Sequence, residues 1–163
     1  MAEVANGNLE LLKVLFNRHH AHVFNFLYKM SGDRMLSEDI TQDVFYKLIK
    51  YRTSYNGGNF VSWLFTIARN SLNTHFSKNK VMESDIEGMI YKLGETDFNE
   101  DYSHLHSALQ QLETADRELV ILNRLQGIKY EELATIMNSS PGAIKTKMSR
   151  VLKKLRVIYL QTI

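Results

Sequence analysis

The sequence predicts an all-α protein of two small helical domains joined by an acidic linker. Three observations carry this. Apolar residues recur at three- and four-residue steps along most of the chain. Proline occurs once and glycine eight times in 163 residues, so few positions interrupt a helix. Charge falls into three blocks. Residues 1–80 hold 10 Lys+Arg against 6 Asp+Glu, residues 81–103 hold 1 against 7, and residues 104–163 hold 9 against 5. Two blocks of +4 thus flank a connector of −6, which places the domains at 1–80 and 104–163 and the linker at 81–103.

The first block predicts three helices. From Asn8 to Met30, the residues Leu12, Leu15, Phe16, His19, Val23, Phe26, Leu27 and Met30 keep helical spacing, and Ser31-Gly32-Asp33 breaks it. Ser37 is the expected N-cap of the second helix, with Glu38 and Asp39 in its first turn. Ile40, Val44, Leu48 and Tyr51 line one face of that helix, widened by Phe45 and Ile49. The polar loop Thr53–Asn59 precedes a third helix over 60–77, whose stripe is Val61, Leu64, Ala68 and Leu72. In the connector, Met82, Ile86, Met89, Ile90 and Leu93 also fall at helical spacing. Both a short amphipathic helix and an extended acidic segment fit it.

The last block predicts helices over 104–112, 115–126, 130–137 and 141–160, the last two forming a helix-turn-helix. Ala134 supplies the small residue that lets two helices cross closely. Asn138 tolerates the left-handed turn conformation, Ser140 caps the second helix and Pro141 suits its first position. Ile144, Met148, Val151, Leu155 and Ile158 form a narrow core stripe. Lys145, Thr146, Ser149, Arg150, Lys153 and Arg156 occupy the opposite half of the helix. A helix with one apolar seam and a Lys/Thr/Ser/Arg face suits the DNA major groove.

Composition excludes several classes. There is no cysteine, hence no disulfide scaffold, thiol nucleophile or thiolate metal site, and this suits a reducing cytosol. No apolar run approaches the roughly 18 residues of a membrane span, and Met1-Ala2-Glu3 opens no signal peptide, so no membrane insertion and a cytoplasmic location are expected. His19, His20, His22, His104 and His106 lack the carboxylate or thiolate partners of a metal site. No phosphate loop, zinc-protease motif or nucleophile elbow is present. Neither a cofactor nor an enzymatic activity is expected.

Two motifs together carry a resemblance. Ser37-Glu-Asp-Ile-Thr-Gln-Asp-Val-Phe45 followed by Trp63-Leu-Phe-Thr-Ile-Ala-Arg-Asn70 resembles region 2 of a bacterial RNA polymerase sigma factor. Leu112 to Leu155, with Gly127-Ile-Lys-Tyr-Glu-Glu-Leu-Ala134 and Gly142-Ala-Ile-Lys-Thr-Lys-Met-Ser-Arg150, resembles region 4. Two such domains with a short linker are similar to the extracytoplasmic-function (ECF) group of the sigma-70 family. The likeness spans nearly the whole chain apart from the first few residues and the linker.

The resemblance implies partners and roles. It implies binding to core RNA polymerase and to promoter DNA, and family members are commonly held inactive by an anti-sigma factor. Asp39, Gln42, Asp43 and Phe45 match the segment that docks on the polymerase's largest subunit. The loop Tyr51–Asn59 and the helix Phe60–Lys78 match the reader of the melted −10 element. Tyr51, Tyr55, Asn56, Asn59, Arg69, Asn70, Asn73 and Lys78 supply the aromatic platforms, amide edges and cations that single strands need. Trp63 invites stacking, but its helical neighbours and size make it a core anchor. Region 4 matches the reader of the duplex −35 element, with Lys145 and Arg150 on base edges or phosphates, Thr146 and Ser149 at shorter reach, and Lys153 on phosphate.

The chain departs from the family pattern in places. Thr74 stands where an Asp is usual and Ser77-Lys78 where a basic pair is usual, which removes one phosphate-facing cation. Lys129 replaces a Ser cap, leaving Glu132 to reach back to the helix start alone, and Asn138 replaces the turn glycine. The acidic residues Glu95, Asp97, Glu100 and Asp101 are expected to mimic nucleic acid in the polymerase's RNA exit path. Each basic block is only +4, so the free protein is expected to bind promoter DNA weakly at physiological salt. The rival readings are a dimeric helix-turn-helix regulator, which leaves the region 2 motifs unexplained, and a sigma-like adaptor without DNA contact.

Overall fold

In the computed structural model the backbone is described for residues 1–83 and 100–163, and side chains for residues 1–79 and 103–163. Among these residues there are helices and turns and no strand. The chain divides into two compact units, Met1–Leu93 and Gly94–Ile163. The side chains of the expected amphipathic segment from Met82 to Leu93, and those of Glu95, Asp97, Glu100 and Asp101, lie outside the described residues.

The first unit consists of α1 (Ala2–Ala5), α2 (Leu12–Ser31), α3 (Arg34–Lys50) and α4 (Phe60–Glu83), with 3-10 turns at Leu9–Leu11 and Arg52–Ser54. Gly32 ends α2 in the left-handed region at φ 71°, its N–H donating to the Tyr28 carbonyl at 2.8 Å. The next helix starts at once, because Asp33 Oδ1 accepts from the Leu36 N–H at 3.0 Å. Ser37 is therefore not the cap the sequence predicts. It is 1% exposed inside α3, and its hydroxyl donates to the Asp33 carbonyl at 2.6 Å. The breaker Ser31-Gly32-Asp33 contains the cap itself, so Glu38 and Asp39 move out of the first turn.

Packing of α2 on α3 and of α3 on α4 builds the core. It holds Val23, Phe26, Leu27 and Met30 from α2, Ile40, Val44, Phe45 and Leu48 from α3, and Leu64, Phe65, Ala68 and Leu72 from α4. Each large apolar side chain so buried contributes about 1.5–3 kcal/mol relative to exposure. Phe26 meets Phe65 edge to face at 5.6 Å. Lys47 joins α3 to α4, donating to the buried Ser71 hydroxyl at 2.9 Å while pairing with Asp43 at 2.7 Å. The outer turns of the predicted stripes are less buried: Phe16 is 40% and Tyr51 47% exposed. Helix α4 also runs six residues beyond the predicted end at 77.

The second unit consists of α5 (Glu100–Gln110), α6 (Thr114–Val120), a π-helical turn Ile121–Leu125, α7 (Tyr130–Ile136) and α8 (Pro141–Thr162). The predicted regular helix over 115–126 thus widens in its last turn. There the Gln126 N–H reaches back five residues to the Ile121 carbonyl at 3.0 Å. Gly127, at φ 70°, then turns the chain, and Asn123 Nδ2 donates to the Ile128 carbonyl at 2.8 Å. Helix α8 packs against α5, α6 and α7. Four of its five predicted stripe residues, Ile144, Met148, Val151 and Leu155, are buried, and Ile158 is half-buried. No described helix is long and apolar enough to cross a membrane.

Candidate nucleic-acid interface

The helix-turn-helix forms as its residue chemistry dictates. Lysine has no acceptor to cap α7, so the helix start is closed from one side, by the Lys129 N–H donating to Glu132 Oε2 at 3.4 Å. Asn138 takes φ 50° and is the non-glycine residue with positive φ among the described residues. The turn closes through the Ser139 N–H on the Ala134 carbonyl at 2.8 Å, and Ala134 is 5% exposed. Ser140 Oγ accepts from the Ala143 N–H at 3.2 Å, and Pro141 opens α8.

Helix α8 carries six cations and no acid, and the fold sorts them. Lys147 Nζ lies 3.3 Å from Asp116 Oδ1, and Lys154 Nζ lies 3.7 Å from Asp116 Oδ2 and 3.9 Å from Glu113. These two point at the start of α6 and their charge is balanced there. Lys145, Thr146, Ser149, Arg150 and Lys153 are all exposed on the outer face, with Arg156 beyond them. Among the described residues Lys145, Arg150 and Lys153 have no ion-pair partner. The open cationic sector is thus the one the sequence predicts, and at about 1.5 Å per residue it spans the width of a major groove.

In the first unit the loop before α4 holds itself in shape. Tyr55 donates its phenolic O–H to the Gly58 carbonyl, and Asn56 Oδ1 accepts from the Gly58 N–H at 3.3 Å. Asn59 Oδ1 accepts from the Ser62 N–H at 2.9 Å, so its amide oxygen caps α4 and is committed to the fold. Tyr51 is exposed, with Lys50 Nζ 5.4 Å from its ring centroid. On α4, Asn70, Asn73 and Lys78 are exposed and Arg69 is half-buried. At about 100° per residue, Asn70 and Thr74 continue the sector of Trp63, with Asn73 and Lys78 on its two sides.

Trp63 corrects the expectation of a core anchor. It is half-buried in an aromatic cluster with Tyr55 at 5.4 Å and Phe60 at 6.3 Å, and His19 meets Phe60 edge to face at 5.1 Å. Phe65, which the predicted stripe omits, takes the core place at 3% exposure. The rings are tilted or edge-on to one another, at 59° for Tyr55 on Trp63 and 45° for Phe60 on Trp63, and a partly open aromatic face beside an amide-lined helix can stack unpaired bases.

Burial holds the His19 imidazole below its ordinary value of 6.5, helped by the neighbouring charges of His22 and Arg18. The unfolded chain therefore binds a proton at a higher pH than the folded unit does. Stability then rises with pH through that window and is lost as pH falls below about 6.5. We expect the melting temperature of the first unit to drop on acidification from about pH 7.5 to 5.5. His19→Gln should flatten the dependence, and a wild-type profile already flat across that range would refute the assignment.

On α3, Asp39 and Gln42 are exposed, and Asp43 is half-exposed and paired with Lys47. Phe45 is 6% exposed and meets Phe16 edge to face at 4.9 Å. It stands behind the face as packing and is not presented to a partner, a correction to its place among the docking residues. Exposed apolar surface comes instead from Met35 (74%) and Tyr46 (63%). The spacing 35, 39, 42, 46 sets both in line with Asp39 and Gln42, a periodic signal present in the sequence but lying outside the buried stripe. Among the described residues no three His, Asp or Glu side chains converge on a metal-sized site.

Two compact helical units, the second ending in a helix-turn-helix with an open cationic face, define a two-unit DNA-binding protein of the transcription-factor class. Sequence profiles described as Sigma-70 region 2 and Sigma-70, region 4 match residues 15–81 and 103–155. RNA polymerase sigma factor CarQ of Myxococcus xanthus is 32% identical over 162 residues, covering 96% of this chain and 93% of CarQ. ECF RNA polymerase sigma factor BldN of Streptomyces coelicolor is 28% identical over 159 residues, covering 91% of this chain and 60% of BldN. The solved structure of the sigma factor RpoE in complex with the anti-sigma factor NepR from Bartonella quintana matches at a TM-score of 0.79 and 26% identity, over 90% of this chain and 94% of the compared one. The chain belongs to the sigma-70 family of RNA polymerase sigma factors, in its extracytoplasmic-function group.

Proposed function

We propose that this chain binds core RNA polymerase in the cytoplasm and directs it to promoters, the polymerase supplying all the chemistry. The observation that carries this is the pairing of regions 2 and 4, in that order, on two compact units whose second presents a recognition helix with an open cationic outer face. Residues 1–80 serve as the polymerase-binding and −10-reading domain, 81–103 as the linker and 104–163 as the −35 reader. Asp39 and Gln42, flanked by Met35 and Tyr46, form the polymerase-docking face. Asp43 contributes through its pair with Lys47, and Phe45 supports the face from behind.

Tyr51, Tyr55 and the Trp63 cluster take up melted −10 bases. Asn56, Asn70 and Asn73 offer amide edges, Asn59 shapes the loop as a cap, and Arg69 and Lys78 meet the backbone. Lys145, Thr146, Ser149, Arg150 and Lys153 engage the −35 duplex. An anti-sigma partner follows by likeness to RpoE, which was solved with one.

Run-off transcription with purified core polymerase and genomic fragments tests the reading. Addition of the protein is expected to yield discrete transcripts that core alone does not make. Failure to co-purify with polymerase, together with tight operator binding as a dimer, would replace this reading with that of a regulator.

A further inference from the structure

Residues 1–14 precede the region 2 match, yet they are folded into the same unit. Gly7 takes φ +103°, a conformation L side chains rarely adopt, and turns the chain back on itself. The reversal is closed by the Gly7 N–H on the Val4 carbonyl at 3.1 Å and the Asn8 N–H on the Glu3 carbonyl at 2.9 Å. It seats α1 against the turns Leu9–Leu11 and Arg52–Ser54, and Val4 becomes 1% exposed. A single helical turn does not persist alone in water, so the burial of Val4 is what keeps α1 in place.

The turn that α1 packs against carries the loop assigned to −10 reading. Tyr51 enters it and Tyr55 leaves it. On the α3 side Arg52 Nη1 donates to the Ile49 carbonyl at 2.9 Å, and Ser54 Oγ donates to the Tyr51 carbonyl at 2.7 Å. Arg52 Nε is buried and makes no hydrogen bond, so this part of the turn is set by packing. Binding groups act only when held to about half an ångström by the residues beneath them.

We infer that Val4 is a positioning residue for promoter reading: as the buried residue of α1, which packs against Arg52–Ser54, it sets Tyr51 and Tyr55 in the geometry that discriminates −10 bases. This rests on the proposed function. The polymerase-docking face on α3 is made of other residues, so the two activities separate on mutation.

The test uses the full chain with core polymerase on a promoter recovered by run-off, and on the same promoter with one −10 base substituted. Wild-type holoenzyme is expected to prefer the intact promoter by roughly tenfold, the usual scale for one wrong base. Val4→Asp should reduce that preference to about twofold while leaving affinity for core polymerase unchanged, and Val4→Ile should restore it. An unchanged preference in Val4→Asp, even with lower overall activity, means that Val4 only packs and overturns the inference. Should Val4→Asp fail to fold, Gly7→Ala, which strains the reversal that seats α1 without changing the Val4 side chain, is measured by the same ratio: a reduced preference supports the inference and an unchanged one overturns it. A wild-type chain that never initiates with core polymerase refutes the proposed function instead.

Discussion

Replacing Arg150 by Glu is expected to lower −35-dependent initiation by at least about tenfold, since one lost base or phosphate contact costs roughly 1–3 kcal/mol and the reversed charge adds repulsion. Arg150 is exposed in the middle of the open sector of α8, with no ion-pair partner among the described residues. Nothing in the fold leans on it, so the variant should melt as wild type does. Affinity for core polymerase should hold, because Asp39 and Gln42 belong to the other unit. Lys147→Gln is the control: its ammonium is already committed to Asp116 at 3.3 Å, so −35 dependence should barely move. Loss of polymerase binding in Arg150→Glu, or an equal fall on a promoter lacking the −35 element, would mean that the reading face lies elsewhere.

Arg117→Met is expected to destabilise the second unit by about 3 kcal/mol. Arg117 Nε donates to the Leu109 carbonyl at 3.0 Å, and Nη2 donates to the carbonyls of Gln110 at 2.8 Å and Leu112 at 3.2 Å. Leu109 and Gln110 close the last turn of α5 and Leu112 lies just beyond it, so the fork gathers carbonyls at the helix end, where Leu109 also accepts the Leu112 N–H at 3.1 Å. Burial lowers the pKa of the guanidinium from its ordinary value, yet it stays charged at neutral pH and makes charge-assisted bonds. Because α5 and α6 both pack on α8, loosening this junction also loosens the recognition helix. Thermal melting of the second unit should fall by more than 10 °C, given about 4–8 °C per kcal/mol for a domain of this size. Lysine cannot span three carbonyls as a planar fork does, so Arg117→Lys should rescue only a small part. Full rescue by lysine would show that charge alone, and not the fork, matters.

Much of the second unit is legible in the sequence because its determinants are local. The caps at Ser140 and Pro141, the left-handed Asn138 and the step pattern of α8 act within four residues, and they appear in the structure where the sequence places them. The two family motifs are legible for the same reason. Arg117 is not, since its bonds reach five to eight residues back to carbonyls that no side-chain pattern marks. Asp33 is hard to read because one residue serves both as breaker and as cap, while Ser37 nearby is the more familiar kind of cap. Trp63 misleads because size argues for burial, whereas Phe65, two positions on, points to the core and leaves Trp63 at its edge. Val4 carries no periodic signal: it sits between Ala2-Glu3 and Ala5-Asn6 outside any apolar stripe, and acquires meaning only when Gly7 folds it back.

The sorting of charge along α8 bears on how long the protein stays on its site. Two of its six lysines and arginines are spent on Asp116 and Glu113 and release no counterions when the helix meets a duplex. Each phosphate left uncontacted shortens residence and softens the salt dependence. The hold of α8 on a duplex is thereby specific in placement yet modest in strength.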